Sequence, residues 1–308
     1  MKILITGKGG QLAWELEQTA PDTHDIVAMD AQQLDITHQG EVNQTFIAHS
    51  PDLVINAAAY TAVDKAEADP DTAYAVNHKG SEYIAMACKE INAKLIHVST
   101  DFVFDGSKPT PYQPEDQPAP INVYGDSKHQ GDMQISQVLG ANATIIRTAW
   151  VYAAHGNNFV KTMLRLMREK EQLGIIYDQV GTPTWAKGLA RMIWGLVDQP
   201  LYADQPAKST ESSTQAQILH WTDAGVASWY DFAVAIQELA LEKGLLQQAI
   251  PIRPIPTAAY PTPAKRPEFS VMDKSSAEEA SGIQTTHWRK QLAAMLDELA
   301  AYTQGNTP

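Results

Sequence analysis

The stretch Lys2–Gln18, KILITGKGGQLAWELEQ, decides how the rest of the chain is read. Lys2 to Thr6 is an aliphatic run of the length of a short buried strand. Gly7, Gly9 and Gly10 follow as a tight turn, and Gln11 to Gln18 reads as the first turns of a helix. A strand, a glycine turn and a helix make a place to hold phosphate. The first N–H groups of a helix are unpaired and carry partial positive charge, and glycine lets a pyrophosphate come close to them. The turn has the form T-G-x-G-G-x-x-A, with Ala13 in a position where close helix packing, not phosphate approach, limits side-chain size.

Working outward, apolar runs alternate with helical segments: DIVAMD from Asp25, DLVINAAA from Asp52, KLIHVST from Lys94 and ATIIRTAWVY from Ala143, with helices near Glu41, from Thr72 and near Ser127. Such alternation predicts an α/β fold, a Rossmann-type doubly wound parallel sheet whose ligands sit at the carboxyl ends of the strands. Residues 1–150 are assigned to this dinucleotide-binding domain, with segments at about 175–200 and 215–225 returning to it. A smaller C-terminal lobe, about 151–174 and 226–308, is assigned to substrate. In this half, helices are expected at Phe159–Glu171, Ala186–Asp198, Ser228–Leu246 and Thr286–Tyr302, with an exposed polar loop at 205–215. Proline is dense from Pro251 to Pro267, so that segment is read as an ordered loop over a surface or site, a flexible linker being the other reading of the composition.

Composition narrows the function. The 308 residues are 44% apolar and 19% charged, ordinary for a globular protein with a sizeable core. A net charge of -13 without a basic stripe argues against nucleic acid, and no apolar run reaches the roughly 18 residues of a membrane span. Cys88 is the only cysteine, which rules out a disulfide within the chain and a cysteine metal cage. The expected compartment is the cytoplasm, with no targeting segment. The nine histidines show no clustered ligand spacing, and His97, on an apolar strand, reads as a satisfied core residue.

Two constellations carry chemistry. Asp30 ends the second strand, where an acid accepts from a ribose 2′-hydroxyl, while Lys8 in the glycine turn offers charge to a 2′-phosphate or lies solvated at the surface. Tyr124 and Lys128 are four residues apart and so share a helix face. An ammonium beside a phenol stabilises phenolate and moves its pKa from about 10 toward working pH. Tyr124 is then a candidate acid for a carbonyl oxygen, Lys128 a partner for the nicotinamide ribose, and Thr100 a hydroxyl that holds the same oxygen. The bland reading is a surface tyrosine and lysine at a helix start.

These pieces, with NAAAYTAVDKAE at Asn56, STDFVFDG at Ser99, VYGDSK at Val123, RTAWVY at Arg147, GNNFVKTML at Gly156, DQVGTPT at Asp178 and YPTPAKRP at Tyr260, occur in the order found in extended short-chain dehydrogenase/reductases. Over nearly the whole chain the sequence resembles, within them, the dTDP-4-dehydrorhamnose reductase family. The resemblance implies delivery of hydride from NADPH or NADH to C4 of dTDP-6-deoxy-L-lyxo-4-hexulose, giving dTDP-L-rhamnose. It implies Thr100, Tyr124 and Lys128 as the catalytic set. Gly7, Gly10, Gln11 and Leu12 would line the pyrophosphate, Asp30, Asp35 and Ile36 face the adenosine, and Ala57, Ala58 and Tyr60 flank the cofactor. Phe102, Trp150, Asn158 and Arg266 would serve the substrate, although Trp150 also reads as core packing. Phe102 stands where the family usually has tyrosine. Some members dimerise around Mg²⁺ held by three glutamates per chain; Glu15 and Glu298 match two, but Lys187 replaces the third, so no metal is expected, and the chain is expected to be a monomer or homodimer.

A 4-epimerase or 4,6-dehydratase of the same superfamily would share the tyrosine and lysine, but Phe102 supplies no second carboxylate beside Asp101 for a dehydratase. A silent regulatory subunit on this fold has no need of Thr100, Tyr124 and Lys128 together. With Asp30 and Lys8 both present, NADH and NADPH are expected to bind with dissociation constants within about a hundredfold, about 2.7 kcal/mol. Titration of the protein with each cofactor checks this, and a wider gap refutes it.

Overall fold

The computed structural model describes residues 1–199, 202 and 215–305, so most of the polar segment expected at 205–215 lies outside the described residues. The aliphatic runs form strands β1 (Lys2–Thr6), β2 (Asp25–Met29), β3 (Leu53–Asn56), β4 (Lys94–Thr100) and β5 (Ala143–Thr148). With Gln217–His220 they make one six-stranded sheet, ordered β2, β1, β3, β4, β5 and then Gln217–His220. Every pairing in it is parallel. The chain leaves β1 toward β2 on one side and resumes with β3 on the other, so the carboxyl ends of β1 and β3 flank the crevice where the winding reverses.

Alternation along each strand decides which face it buries. Ile3, Ile5, Leu53, Ile55, Ile96 and Ile146 pack toward α1 (Gln11–Gln18) and the helix Ala186–Val197. Leu4, Val54, Leu95 and Ile145 face the other layer. That layer comprises α2 (Gln39–His49), the short helices α3 (Val63–Ala66) and α4 (Pro70–Tyr74), a π-helical segment Ala75–Gly80, α5 (Ser81–Ile91) and α6 (Val123–Leu139). Each such aliphatic side chain contributes about 1.5–3 kcal/mol by leaving water.

A second core lies beyond the sheet. Val160, Met163, Leu164 and Met167 recur at helical spacing along Phe159–Glu169 and meet Phe232, Ile236 and Leu239 from Trp229–Glu242 and Leu292, Met295 and Leu296 from Trp288–Gly305. The helix Ser275–Ser281 instead places Ala277 against the sheet.

Two expectations change. The run from Ala143 does not continue to Tyr152: it breaks at Trp150, whose φ of 49° lies in the left-handed region, and Val151–Tyr152 pairs instead with Thr184–Trp185. The proline-rich segment is not wholly loop, because Ile252–Ile255 pairs in parallel with Leu173–Ile176, with Pro254 opposite Ile175. In this two-stranded pairing Pro254 has an outer side on which its missing N–H costs nothing.

Helix α6 approaches the π-helical segment closely at Gly131. A Cβ there would lie 2.2 Å from the Asn77 carbonyl oxygen. Gly→Ala inside a helix ordinarily gains about 1 kcal/mol. Here overpacking outweighs propensity, and Gly131→Ala is expected to destabilise the protein by about 2 kcal/mol in urea denaturation; unchanged or higher stability would show that α6 sits farther out.

Candidate active site

At the carboxyl ends of β1, β3, β4 and β5 a cleft of about 740 Å³ opens. Its floor at one end is the glycine turn. Gly7 has φ +80°, and a Cβ on it would fall 2.8 Å from the Ala58 nitrogen and 2.9 Å from the Ala57 carbonyl, so only glycine lets the turn nest against the end of β3. Helix α1 begins at Gly10 with no side-chain cap, leaving its first N–H groups facing the cleft lined by Gly10, Gln11 and Leu12. A bare helix N-terminus, a cradle that a Cβ would fill and a long cleft fit a dinucleotide, with the pyrophosphate at the glycines.

Asp35 and Ile36 line the same end. The Asp35 carboxylate bonds Thr37 N at 2.9 Å and Thr37 Oγ1 at 2.7 Å, and the Thr37 hydroxyl holds its pKa below the usual carboxylate range. Asp30 stands just outside the lining; its Oδ1 accepts from Gln32 N and Gln33 N, both at 2.9 Å. Ala57, Ala58 and Tyr60 form the middle. Asn77 holds Tyr60 through two backbone bonds of 2.9 and 3.0 Å and reaches Ser127 Oγ at 3.0 Å. The π-helical turn that places Asn77 has no signature in the sequence.

Thr100, Phe102, Tyr124, Lys128 and Trp150 close the far end. The Thr100 hydroxyl donates to Asp101 Oδ1 at 3.1 Å beside the Tyr124 phenol, and the Phe102 ring meets that of Tyr124 edge to face at 5.5 Å. Helix α6 carries Tyr124 and Lys128 one turn apart, and its N-cap Asn122 fixes where it starts: Oδ1 accepts from Gly125 N at 2.7 Å and Nδ2 donates to Lys265 O at 2.8 Å.

The electrostatics differ from the expectation for this pair. Burial pushes the Tyr124 phenol up to about 12, the Thr100 hydroxyl only partly opposing it, and burial pulls the Lys128 ammonium down to about 8 against the attraction of Asp132. Desolvation of both groups outweighs the stabilisation of phenolate by ammonium. Lys128 Nζ donates to Val98 O at 2.8 Å and lies 3.0 Å from His97 Nε2. His97 is thus fully buried, as read from its strand, but it borders the site.

A smaller pocket adjoins, lined by Asp101, Phe102, Trp150, Gln179, Trp229 and Arg266 among others. Trp150 stacks on Trp229 at 3.6 Å, and Trp229 Nε1 donates to Gln179 Oε1 at 3.2 Å. Arg266 makes a two-point pair with Asp64 of α3, at 3.0 and 2.8 Å. Asn158 lies outside both linings: it caps the helix from Phe159 and donates to Gln11 Oε1 at 2.9 Å. On the far side of α1, Lys187 Nζ is 2.6 Å from Glu298 Oε2, and the buried Glu15 carboxyl is pushed up to about 7, first by burial and then by Glu298. Asn77, Asp64, Gln179 and Trp229 were not singled out in the sequence, since each acts through a partner distant in the chain.

Residues 1–301 match the RmlD substrate binding domain family. The dTDP-4-dehydrorhamnose reductase of Aggregatibacter actinomycetemcomitans is 38% identical over 94% of this chain and 97% of its own. A crystal structure of a dTDP-4-dehydrorhamnose reductase from Clostridium acetobutylicum superposes with a TM-score of 0.86 at 37% identity, covering 97% of this chain and all of that one. The Bacillus anthracis dTDP-4-dehydrorhamnose reductase, solved in complex with NADP, gives 0.85 at 32% identity over 96% and 99% of the two chains.

Asp101 tests the electrostatics of the site without reference to turnover. Burial raises its carboxyl to about 6, hydrogen bonds from Ser270 and Thr100 opposing. A folded-state pKa above the unfolded value contributes stability that is complete below about 3.9 and lost as pH rises through about 6. Asp101→Asn is therefore expected to gain on the wild type by on the order of 2 kcal/mol between pH 4.5 and pH 7.5 in denaturant titrations. A pH-independent difference would mean that the carboxylate is better solvated than its burial implies.

Proposed function

The chain belongs to the RmlD substrate binding domain family, and from that premise we propose that it is an NAD(P)H-dependent reductase of the C4 keto group of dTDP-6-deoxy-L-lyxo-4-hexulose, forming dTDP-L-rhamnose in the cytoplasm. The observation that carries this reading is the juxtaposition, in one cleft, of a glycine cradle at a bare helix N-terminus with Thr100, Tyr124 and Lys128. A bound reduced nicotinamide supplies the hydride; the chain supplies the proton, the orientation and the exclusion of water.

Tyr124 is the proton donor. Its phenol, pushed up to about 12, stays protonated throughout the working range, as an acid must before it acts. The Thr100 hydroxyl, beside the phenol, shares the substrate oxygen and orients it. Negative charge that appears on Tyr124 after donation is stabilised by the Lys128 ammonium one helical turn away. Gly7, Gly10, Gln11 and Leu12 would hold the pyrophosphate of the cofactor, Asp35 and Ile36, with Asp30 behind them, would face the adenosine, and Ala57, Ala58 and Tyr60 would flank the cofactor.

On the substrate side, Phe102 and the flat Trp150 wall take the sugar or base, and Arg266 takes the diphosphate with its two-point fork. Asp64 pre-orients that fork and yields it when phosphate oxygens arrive. Asn158 acts through Gln11 and the helix it caps. The lobe at about 151–174 and 226–308 is the substrate domain in this reading, and the chain acts as a monomer or homodimer.

Purified protein given NADPH and dTDP-6-deoxy-L-lyxo-4-hexulose is expected to oxidise cofactor stoichiometrically, which separates a reductase from an epimerase. Tyr124→Phe should lose at least about a hundredfold in kcat, the usual worth of a positioned acid. In Arg266→Ala the Michaelis constant for the sugar nucleotide should rise about tenfold or more. Cofactor binding without oxidation would sink the proposal; an unchanged Michaelis constant would remove Arg266 from the substrate site.

A further inference from the structure

A chain of buried polar groups runs beneath the cleft across three parallel strands. From β1, Thr6 Oγ1 lies 2.6 Å from Asn56 Oδ1 of β3; Asn56 Nδ2 lies 2.9 Å from His97 Nδ1 of β4; and His97 Nε2 lies 3.0 Å from Lys128 Nζ of α6. Thr6, Asn56, His97 and Lys128 are all 1% exposed or less. The parallel register requires two of these contacts, pairing Thr6 with Asn56 and Asn56 with His97. At the upper end, the Ala58 N–H, at the cleft wall, donates to Asn56 Oδ1 at 3.2 Å.

Donor counting gives the chain a direction. An ammonium has three donors and no acceptor. One Lys128 donor goes to Val98 O, so the second needs His97 Nε2 as acceptor and the third is left for the cleft. His97, held neutral by burial and by the Lys128 charge, then carries its proton on Nδ1. That proton requires the oxygen of Asn56; the amide, turned end for end, then donates to the Thr6 hydroxyl, and the Ala58 N–H passes from Asn56 to its second acceptor, Thr6 Oγ1, 3.4 Å away. With Lys128 neutral the pattern reverses: Nε2–H donates to the amine, and the Asn56 amide donates to Nδ1.

We propose that His97 is a positioning residue for the reduction: its Nε2 takes one donor of Lys128 and thereby aims the remaining one at the cleft, while Nδ1 passes the charge state of the lysine to Asn56 and the cofactor wall. This rests on the assignment of Lys128 above. The other groups that face the pair are Asp132 of α6, whose Oδ1 is 3.6 Å from His97 Nε2, Ser99 of β4 and Arg147 of β5, both on the Asp132 carboxylate, and His129, Tyr124 and Asp101. None of them replaces the imidazole as acceptor for Lys128 among the described contacts.

Two amides separate a specific role from a merely structural one. Glutamine extends an acceptor to the place of Nε2, whereas asparagine reaches only the place of Nδ1. Lys128 would be followed by NMR of lysine labelled at Cε, its signal assigned by loss in Lys128→Arg, across a pH titration of the protein without cofactor. His97→Asn is expected to lower the Lys128 midpoint by about one pH unit, and His97→Gln to keep it within about half a unit of wild type. The alkaline limb of kcat should move with the midpoint in each variant. Equal midpoints in all three proteins, or equal shifts in both variants, would overturn the proposal. Because the NMR measurement needs no turnover, it stands apart from failure of the reductase reading, which appears only as absence of cofactor oxidation.

Discussion

A primary ammonium 1% exposed at the edge of a parallel sheet is the constraint from which the architecture of this site follows. Left without acceptors, such a charge would cost several kcal/mol and deprotonate instead. The fold answers with the Val98 carbonyl, the His97 ring and the more distant Asp132 carboxylate. Those groups must in turn be satisfied, which is why Asn56, Ser99 and Arg147 interrupt strands that are otherwise aliphatic. Thr6, Asn56, His97, Ser99 and Arg147 are therefore linked, through Asp132, as one set.

The same logic orders the proposed acid. Tyr124 and Lys128 share a helix face, yet the expected coupling of phenol and ammonium is overridden because both are desolvated. Burial holds the phenol protonated and brings the lysine nearer to neutrality. The pair is poised to respond to charge as it appears on the substrate, with little preset in its absence.

Much of the fold was legible because it rests on local pattern. Aliphatic runs ended by glycine or small residues gave β1 to β5, and their alternation with helices gave a parallel sheet. What escaped depends on distant partners. The break at Trp150 goes with a ring stack on Trp229, 79 residues on, and no residue type announces a left-handed φ at tryptophan. Ile252–Ile255 became a strand because Leu173–Ile176 offered it a partner, which proline content cannot foretell. In the site, Tyr124 and Lys128 could be found from helical spacing. His97 could not, since a histidine on an apolar strand gains meaning only when register sets it beside Asn56 and α6 lays a lysine over it. Arg266 was found through resemblance, but its partner Asp64 is 202 residues away in sequence.

The Asn122 side chain ties two tasks together. One end of its amide starts the helix that carries Tyr124 and Lys128, and the other holds the Lys265 carbonyl, one residue before Arg266. A rocking of the proline-rich arm would thus be transmitted to the root of the helix that carries Tyr124 and Lys128. On the proposed assignment, the grip on the substrate diphosphate and the aim of the proton are geared to one another, and neither can drift without the other.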